Sequence, residues 1–91
     1  PIGYADGFPR TLENENGVIL INNQMAKIVG NICMDMCMAD ITHIDNAQEG
    51  EECEIYGKEI SIINAAQNIG TIAYELLTRI SARVKRLYYL D

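Results

Sequence analysis

The chain has 91 residues, 48% of them hydrophobic and 22% charged, which supplies one small core and too little material for two domains. Thirteen acidic against seven basic residues give a formal net charge of −6, which argues against a nucleic-acid surface as the default role. No apolar run approaches the roughly 20 residues of a membrane-spanning helix and no secretory leader is recognisable, so a cytoplasmic protein is the expectation.

In chain order, GYADGFPR (Gly3 to Arg10) reads as a turn-rich loop, and Pro1 in place of an initiator methionine leaves two readings, that something was removed or that the chain is a piece of something larger. GVILI (17–21) and MAKIV (25–29) are β-branched and apolar, and Asn22-Asn23 between them tolerates the positive φ of a tight turn, which predicts a hairpin. After Gly30, NICMDMCMADIT (31–42) alternates, with Ile32, Met34, Met36 and Met38 on one face and Cys33, Asp35, Cys37 and Ala39 on the other, and predicts a strand. His43, the single histidine, falls in a loop. A polar turn at 46–50 leads to EECEIY (51–56) and EISI (59–62), which flank Gly57-Lys58 as a second hairpin. Ile63, Ala65, Ala66 and Ile69 recur near helical spacing and Gly70 stands where a cap glycine would; Thr71 is placed to cap a second helix over 71–80, with Ile72, Leu76 and Ile80 along one face. Val84 to Leu90 reads as a final strand. Short strands, close turns and two short helices predict a small, mainly antiparallel β-barrel or sandwich.

Three cysteines, Cys33, Cys37 and Cys53, exclude a closed disulfide framework and favour a reducing compartment. On a strand, Cys33 and Cys37 stand about 13 Å apart at roughly 3.3 Å per residue, too far for one zinc, so no metal site is expected and the thiols read as buried and inert. Arg79, Arg83, Lys85 and Arg86 form a basic cluster able to meet an anion.

Three stretches in order, GYADGFPR at 3–10, VGNICMDM at 29–36 and TIAYELLTRISARVKRLY at 71–88, together resemble the C-terminal domain of alanine racemase over essentially the whole chain. The resemblance implies an all-β domain over 1–91, a small antiparallel, Greek-key type barrel with one or two short helices. It implies a part of a bacterial pyridoxal-phosphate isomerase that interconverts L- and D-alanine and supplies D-alanine for cell-wall peptidoglycan. An N-terminal α/β barrel carries the cofactor on a Schiff-base lysine in that family, and a head-to-tail homodimer completes the active site. Racemisation removes the Cα proton and returns one to the opposite face, so it needs two acid/base groups; by resemblance these are that lysine and a tyrosine upstream of GYADG. No catalytic residue is therefore expected here, Lys27, Lys58 and Lys85 read as solvated surface, and the chain alone is expected to be inactive.

The resemblance assigns contacts instead. Met34 matches the residue whose main-chain N–H holds the substrate carboxylate, and Asp35 beside it is an accepting carboxylate behind that contact. Tyr74 matches the tyrosine that donates to the cofactor phosphate. Tyr4, Arg10, Asn31 and Ile72 match the substrate entrance, with Tyr4 reaching the other subunit's active site. Two departures stand out: Asn31 occupies a position usually held by arginine, and Arg83-Val84-Lys85-Arg86 lacks the usual proline. The lost charge at Asn31 makes a serine-preferring racemase of the same family the runner-up. From other classes, the alternatives are an autonomous small β-barrel binding module, supported only by the basic cluster, and a plain dimerisation domain.

Overall fold

Two apolar runs joined by two asparagines build the centre of the molecule, of which the computed structural model describes residues 1–89. β1 (Val18–Ile21) pairs antiparallel with β2 (Gln24–Val29), from Val18 opposite Lys27 to Ile21 opposite Gln24. Asn22 and Asn23 have φ of 51° and 62°, and left-handed backbone at both central positions suits a two-residue turn whose twist matches the strands. Alternation then decides the faces: Ala26 and Ile28 are buried, while Met25 and Lys27 between them are exposed.

β3 (Met38–Ala39) joins the free edge of β2 and β4 (Cys53–Glu54) joins the free edge of β1, giving an antiparallel sheet of order β3-β2-β1-β4 that curls into a half-barrel. Phe8, Leu12, Ile19, Ala26, Ile28, Ile32 and Ile44 fill its concave side. Phe8 lies between two single 3₁₀ turns, Tyr4–Asp6 and Arg10–Leu12, and Leu12 ends the second, so the N-terminal loop is anchored by its own apolar side chains. The expected mainly antiparallel β class with two short helices is what forms.

α1 (Ile62–Asn68) starts at Ser61, whose hydroxyl accepts from the Asn64 N–H at 3.3 Å. It ends as the glycine predicted, with Gly70 N–H donating to Gln67 O and Thr71 N–H to Ala66 O, the paired bonds of a Schellman closure. Thr71 does not cap the second helix: α2 (Ala73–Thr78) begins after Ile72, which takes the N-cap position with no side-chain cap and leaves Thr71 one residue too early. Of the apolar face expected there, Leu76 is fully buried, Ile80 half-buried and Ile72 exposed.

Three expected strands do not form as drawn. In 31–42 only Met38–Ala39 is strand, because the polar backbone of the preceding residues is claimed elsewhere: Ile32 N–H by the Glu13 carboxylate, Cys33 and Met34 carbonyls by the N-terminal loop. Met34, Met36 and Met38 are accordingly exposed, not core. The second hairpin is replaced by a side-chain turn, in which Glu54 Oε2 accepts the N–H groups of Glu59 (3.1 Å) and Ile60 (2.9 Å) and takes the donors a return strand would need. Residues 84–89 are irregular, and Leu90, the end of the expected last strand, lies outside the described residues.

Truncating Ile28, which is fully buried at the centre of the sheet, should cost about 2–5 kcal/mol as Ile28→Ala. Ser61→Ala removes one cap and should cost about 1 kcal/mol. Urea unfolding of the two variants beside the parent checks both the order and the sizes.

Candidate functional site

A seam between two loops organises the exposed end of the half-barrel. Tyr4 N–H donates to Cys33 O at 2.9 Å and Ala5 N–H to Met34 O at 3.0 Å, so GYADG and NICMDM run against each other. Gly3 sits at the closest approach, where a Cβ would collide with the carbonyls of Cys33 and Met34. Cys33 N–H is taken by Met36 O, and the Met34 N–H has no acceptor among the described residues. The Asp35 and Met36 N–H groups are likewise without an acceptor among the described residues; the Met34 donor is the one that belongs to the peptide whose carbonyl Tyr4 holds, and the Tyr4 and Met34 side chains are exposed.

An ionic bridge closes the same seam from outside. Asp6 accepts the Gly3 N–H on one oxygen (2.9 Å) and Arg83 Nε on the other (2.7 Å), while Arg83 Nη2 donates to Asp35 at 2.6 Å. The Arg83 hydrogen bond, and after it the Gly3 N–H, hold the Asp6 carboxyl below the usual carboxylate range. The two carboxylates in turn raise the guanidinium above its already high ordinary value, so Arg83 stays charged.

The remaining expected positions divide into two groups. Arg10 pairs with Glu13 at 3.6 Å, and Glu13 also accepts the Ile32 N–H at 2.8 Å, so Arg10 and Asn31 flank a second tie between the N-terminal region and the same loop. Tyr74 and Ile72 lie at the start of α2 with exposed side chains, the Tyr74 ring being 76% exposed. No hydrogen bond among the described residues joins them to Tyr4 or Met34. Their tie runs through the other end of the helix, where Ser81 N–H donates to Asp6 O and Gly7, at φ 105°, packs against the Arg79 carbonyl.

Several readings of the sequence change here. The cysteines are not buried: Cys33 and Cys53 are exposed and Cys37 is half-buried, with burial pushing the Cys37 thiol up. The strand spacing used for Cys33 and Cys37 does not apply in a loop; among the described residues no group of three metal-ligating side chains occurs. His43 is a loop residue, its Nε2 lying 3.0 Å from Met25 O. The basic cluster is largely engaged internally, with Arg79 on Glu75, Arg83 on two aspartates and Arg86 on the carbonyls of Ile80, Ser81 and Val84, which removes the observation that favoured a nucleic-acid module. Sequence reasoning missed Asp6, Glu13 and Arg83; only Asp6 carried a local signal, its place three residues after Gly3 in a capping arrangement. Lys27, Lys58 and Lys85 are exposed. No helix among the described residues is long and apolar enough to cross a membrane.

The domain thus presents free backbone donors, a phenol and three exposed methionines at one end. The chain belongs to the alanine racemase C-terminal domain family, whose model matches residues 1–88. It is 48% identical over 92 residues to the alanine racemase of Methanococcus maripaludis and 43% identical over 95 residues to that of Clostridium tetani, covering 97% and 100% of this chain. Its fold superposes with a TM-score of 0.91, at 38% identity over 97% of the chain, on the crystal structure of alanine racemase from Bartonella henselae with covalently bound pyridoxal phosphate. The chain spans 24% of the length of each of these three proteins.

The Asp6 bridge makes stability depend on pH. A carboxyl depressed in the fold contributes stability that is complete above its unfolded value of about 3.9 and is lost as pH falls through the folded value. Asp6→Asn should therefore be less stable than the parent at pH 7, with the difference closing below about pH 4. Urea midpoints measured from pH 7 to pH 2 check this.

Proposed function

We propose that this chain is the substrate-facing wall of a pyridoxal-phosphate-dependent alanine racemase, supplying binding contacts while the acid/base groups lie in a partner barrel domain. The observation that carries the reading is the Met34 N–H, left without a protein acceptor beside two carbonyls that are both occupied. A backbone donor suits a substrate carboxylate, and it explains a methionine at a charged position, since the thioether only fills space.

The donor set of the chain fits one contact to the cofactor. Tyr74 offers a neutral phenolic donor on an exposed ring, suited to a phosphate oxygen, and no lysine lies in the Tyr4–Met34 seam. Pyridoxal phosphate, when bound, supplies the electron sink that makes the Cα proton of the amino acid removable. The residues of this chain orient the substrate for that step: Met34 N–H fixes the carboxylate, and Asp35, bonded to Arg83, steadies the peptide behind it. Tyr4 and Ile72 narrow the entrance with apolar faces. Arg10 draws in a carboxylate with a charge partly offset by Glu13, and Asn31 offers an uncharged amide at the entrance. A second subunit in a head-to-tail dimer and the chain's own N-terminal barrel cover the exposed Met34, Met36, Ile72 and Tyr74. The product is D-alanine for a bacterial cell wall, made in the cytoplasm.

The full-length protein with pyridoxal phosphate should racemise L-alanine in a polarimetric assay, whereas the 91-residue chain should show no activity and no borohydride-reducible cofactor on any lysine. A stoichiometric reduced adduct on Lys27, Lys58 or Lys85 contradicts the division of roles. In the full-length enzyme, Tyr74→Phe should weaken cofactor binding by about 1.5–3 kcal/mol, the range for a hydrogen bond to a charged group. Tyr4→Phe should leave cofactor affinity unchanged, and Tyr4→Ala should admit bulkier amino acids, read from competition between alanine and leucine.

A further inference from the structure

We propose that Arg83 is the positioning residue of the substrate-carboxylate site, holding the Met34 N–H in place through a closed circuit of bonds without touching the substrate itself. The inference rests on the reading of Met34 above and adds a residue to it. Starting at the guanidinium, Nε binds Asp6; Asp6 binds the Gly3 N–H; the next two residues, Tyr4 and Ala5, bind Cys33 O and Met34 O; and Asp35, the residue after Met34, returns to Arg83 Nη2. The free donor is therefore enclosed by bonds on both sides of its own peptide. Asp6 also accepts, through its carbonyl, the Ser81 N–H, which ties the circuit to the segment after α2.

Two physical arguments separate positioning from a role in folding. Asp6 is 16% exposed, but Arg83 is 46% and Asp35 62% exposed at the side chain, and an ion pair with a solvated member contributes little beside the packed core. Removing either should leave the fold in place. The guanidinium, however, donates in two directions from one rigid plane and so fixes the distance between two loops that are 29 residues apart, from Asp6 to Asp35. An ammonium at this position is a point charge on a flexible stem and fixes no such geometry. What the bridge controls is where the Met34 N–H points, and the consequence falls on substrate binding.

The test uses the full-length holoenzyme, with Arg83→Met, Arg83→Lys, Asp35→Asn and, as a control, Lys85→Met. Alanine KM and kcat are measured in both directions, and propionate, a carboxylate that lacks the amine and does not react, is titrated calorimetrically as a readout independent of turnover. Arg83→Met should raise alanine KM and propionate Kd together by about tenfold with kcat altered less than about twofold, the signature of a lost binding contact. Arg83→Lys should recover only part of the loss and Asp35→Asn should show about a threefold rise in both constants. Lys85→Met should change neither. If Arg83→Met does not fold, Asp35→Asn alone decides. A parent enzyme that racemises alanine but whose Arg83→Met and Asp35→Asn variants keep the parental KM and propionate affinity overturns the assignment to Arg83 alone. Joint loss of kcat, cofactor and thermal stability also overturns it, in favour of a folding role. A parent that neither racemises alanine nor binds propionate overturns the functional reading and this inference with it.

Discussion

Two backbone hydrogen bonds, Tyr4 N–H to Cys33 O and Ala5 N–H to Met34 O, are the constraint on which the exposed end of the domain depends. They require a residue without a side chain at position 3, because any Cβ there meets the same two carbonyls. They divert residues 33–36 from the sheet, since carbonyls used by a loop cannot serve a strand partner. They also leave the Cys33–Met34 peptide with an occupied carbonyl and an unoccupied N–H, so that one peptide faces the protein through its acceptor and the exterior through its donor. Packing supports the arrangement from below, where Phe8 and Leu12 fasten the N-terminal loop to the Ile19–Ile28–Ile32 core.

Charge is used in the same economical way. A chain with almost twice as many acids as bases places five of its carboxylates, Asp6, Glu13, Asp40, Glu51 and Glu54, on backbone N–H groups that have no strand partner. These are charge-assisted bonds and replace secondary structure where the chain turns. Of the arginines near the end, Arg83 answers Asp6 and Asp35 and Arg79 answers Glu75, so the apparent basic patch in the sequence is mostly internal wiring.

Local chemistry was legible in the sequence wherever a few neighbouring residues decide the outcome. Asn22-Asn23 announced the hairpin, and the spacing of Ile63 to Ile69 before Gly70 announced α1. The period-two pattern of Ile32, Met34, Met36 and Met38 misled, because alternation normally records one buried face and here only Ile32 is buried. The methionines lie on an exposed apolar surface, and a period cannot tell a core from such a surface. The family came from the three motifs as a set. Its wiring did not, since Arg83 reaches Asp6 across 77 positions and Asp35 across 48, and nothing local marks an arginine that bridges rather than solvates.

The most direct measurement is residue-resolved amide hydrogen exchange on the full-length protein, with and without D-alanine. The Tyr4 and Ala5 amides should exchange slowly in both conditions, because their acceptors are fixed carbonyls. The Met34 amide should exchange fast in the free protein and become protected when alanine is added. A Met34 amide that is already protected without alanine, or one that stays unprotected with alanine bound, would contradict the assignment of this donor to the substrate carboxylate.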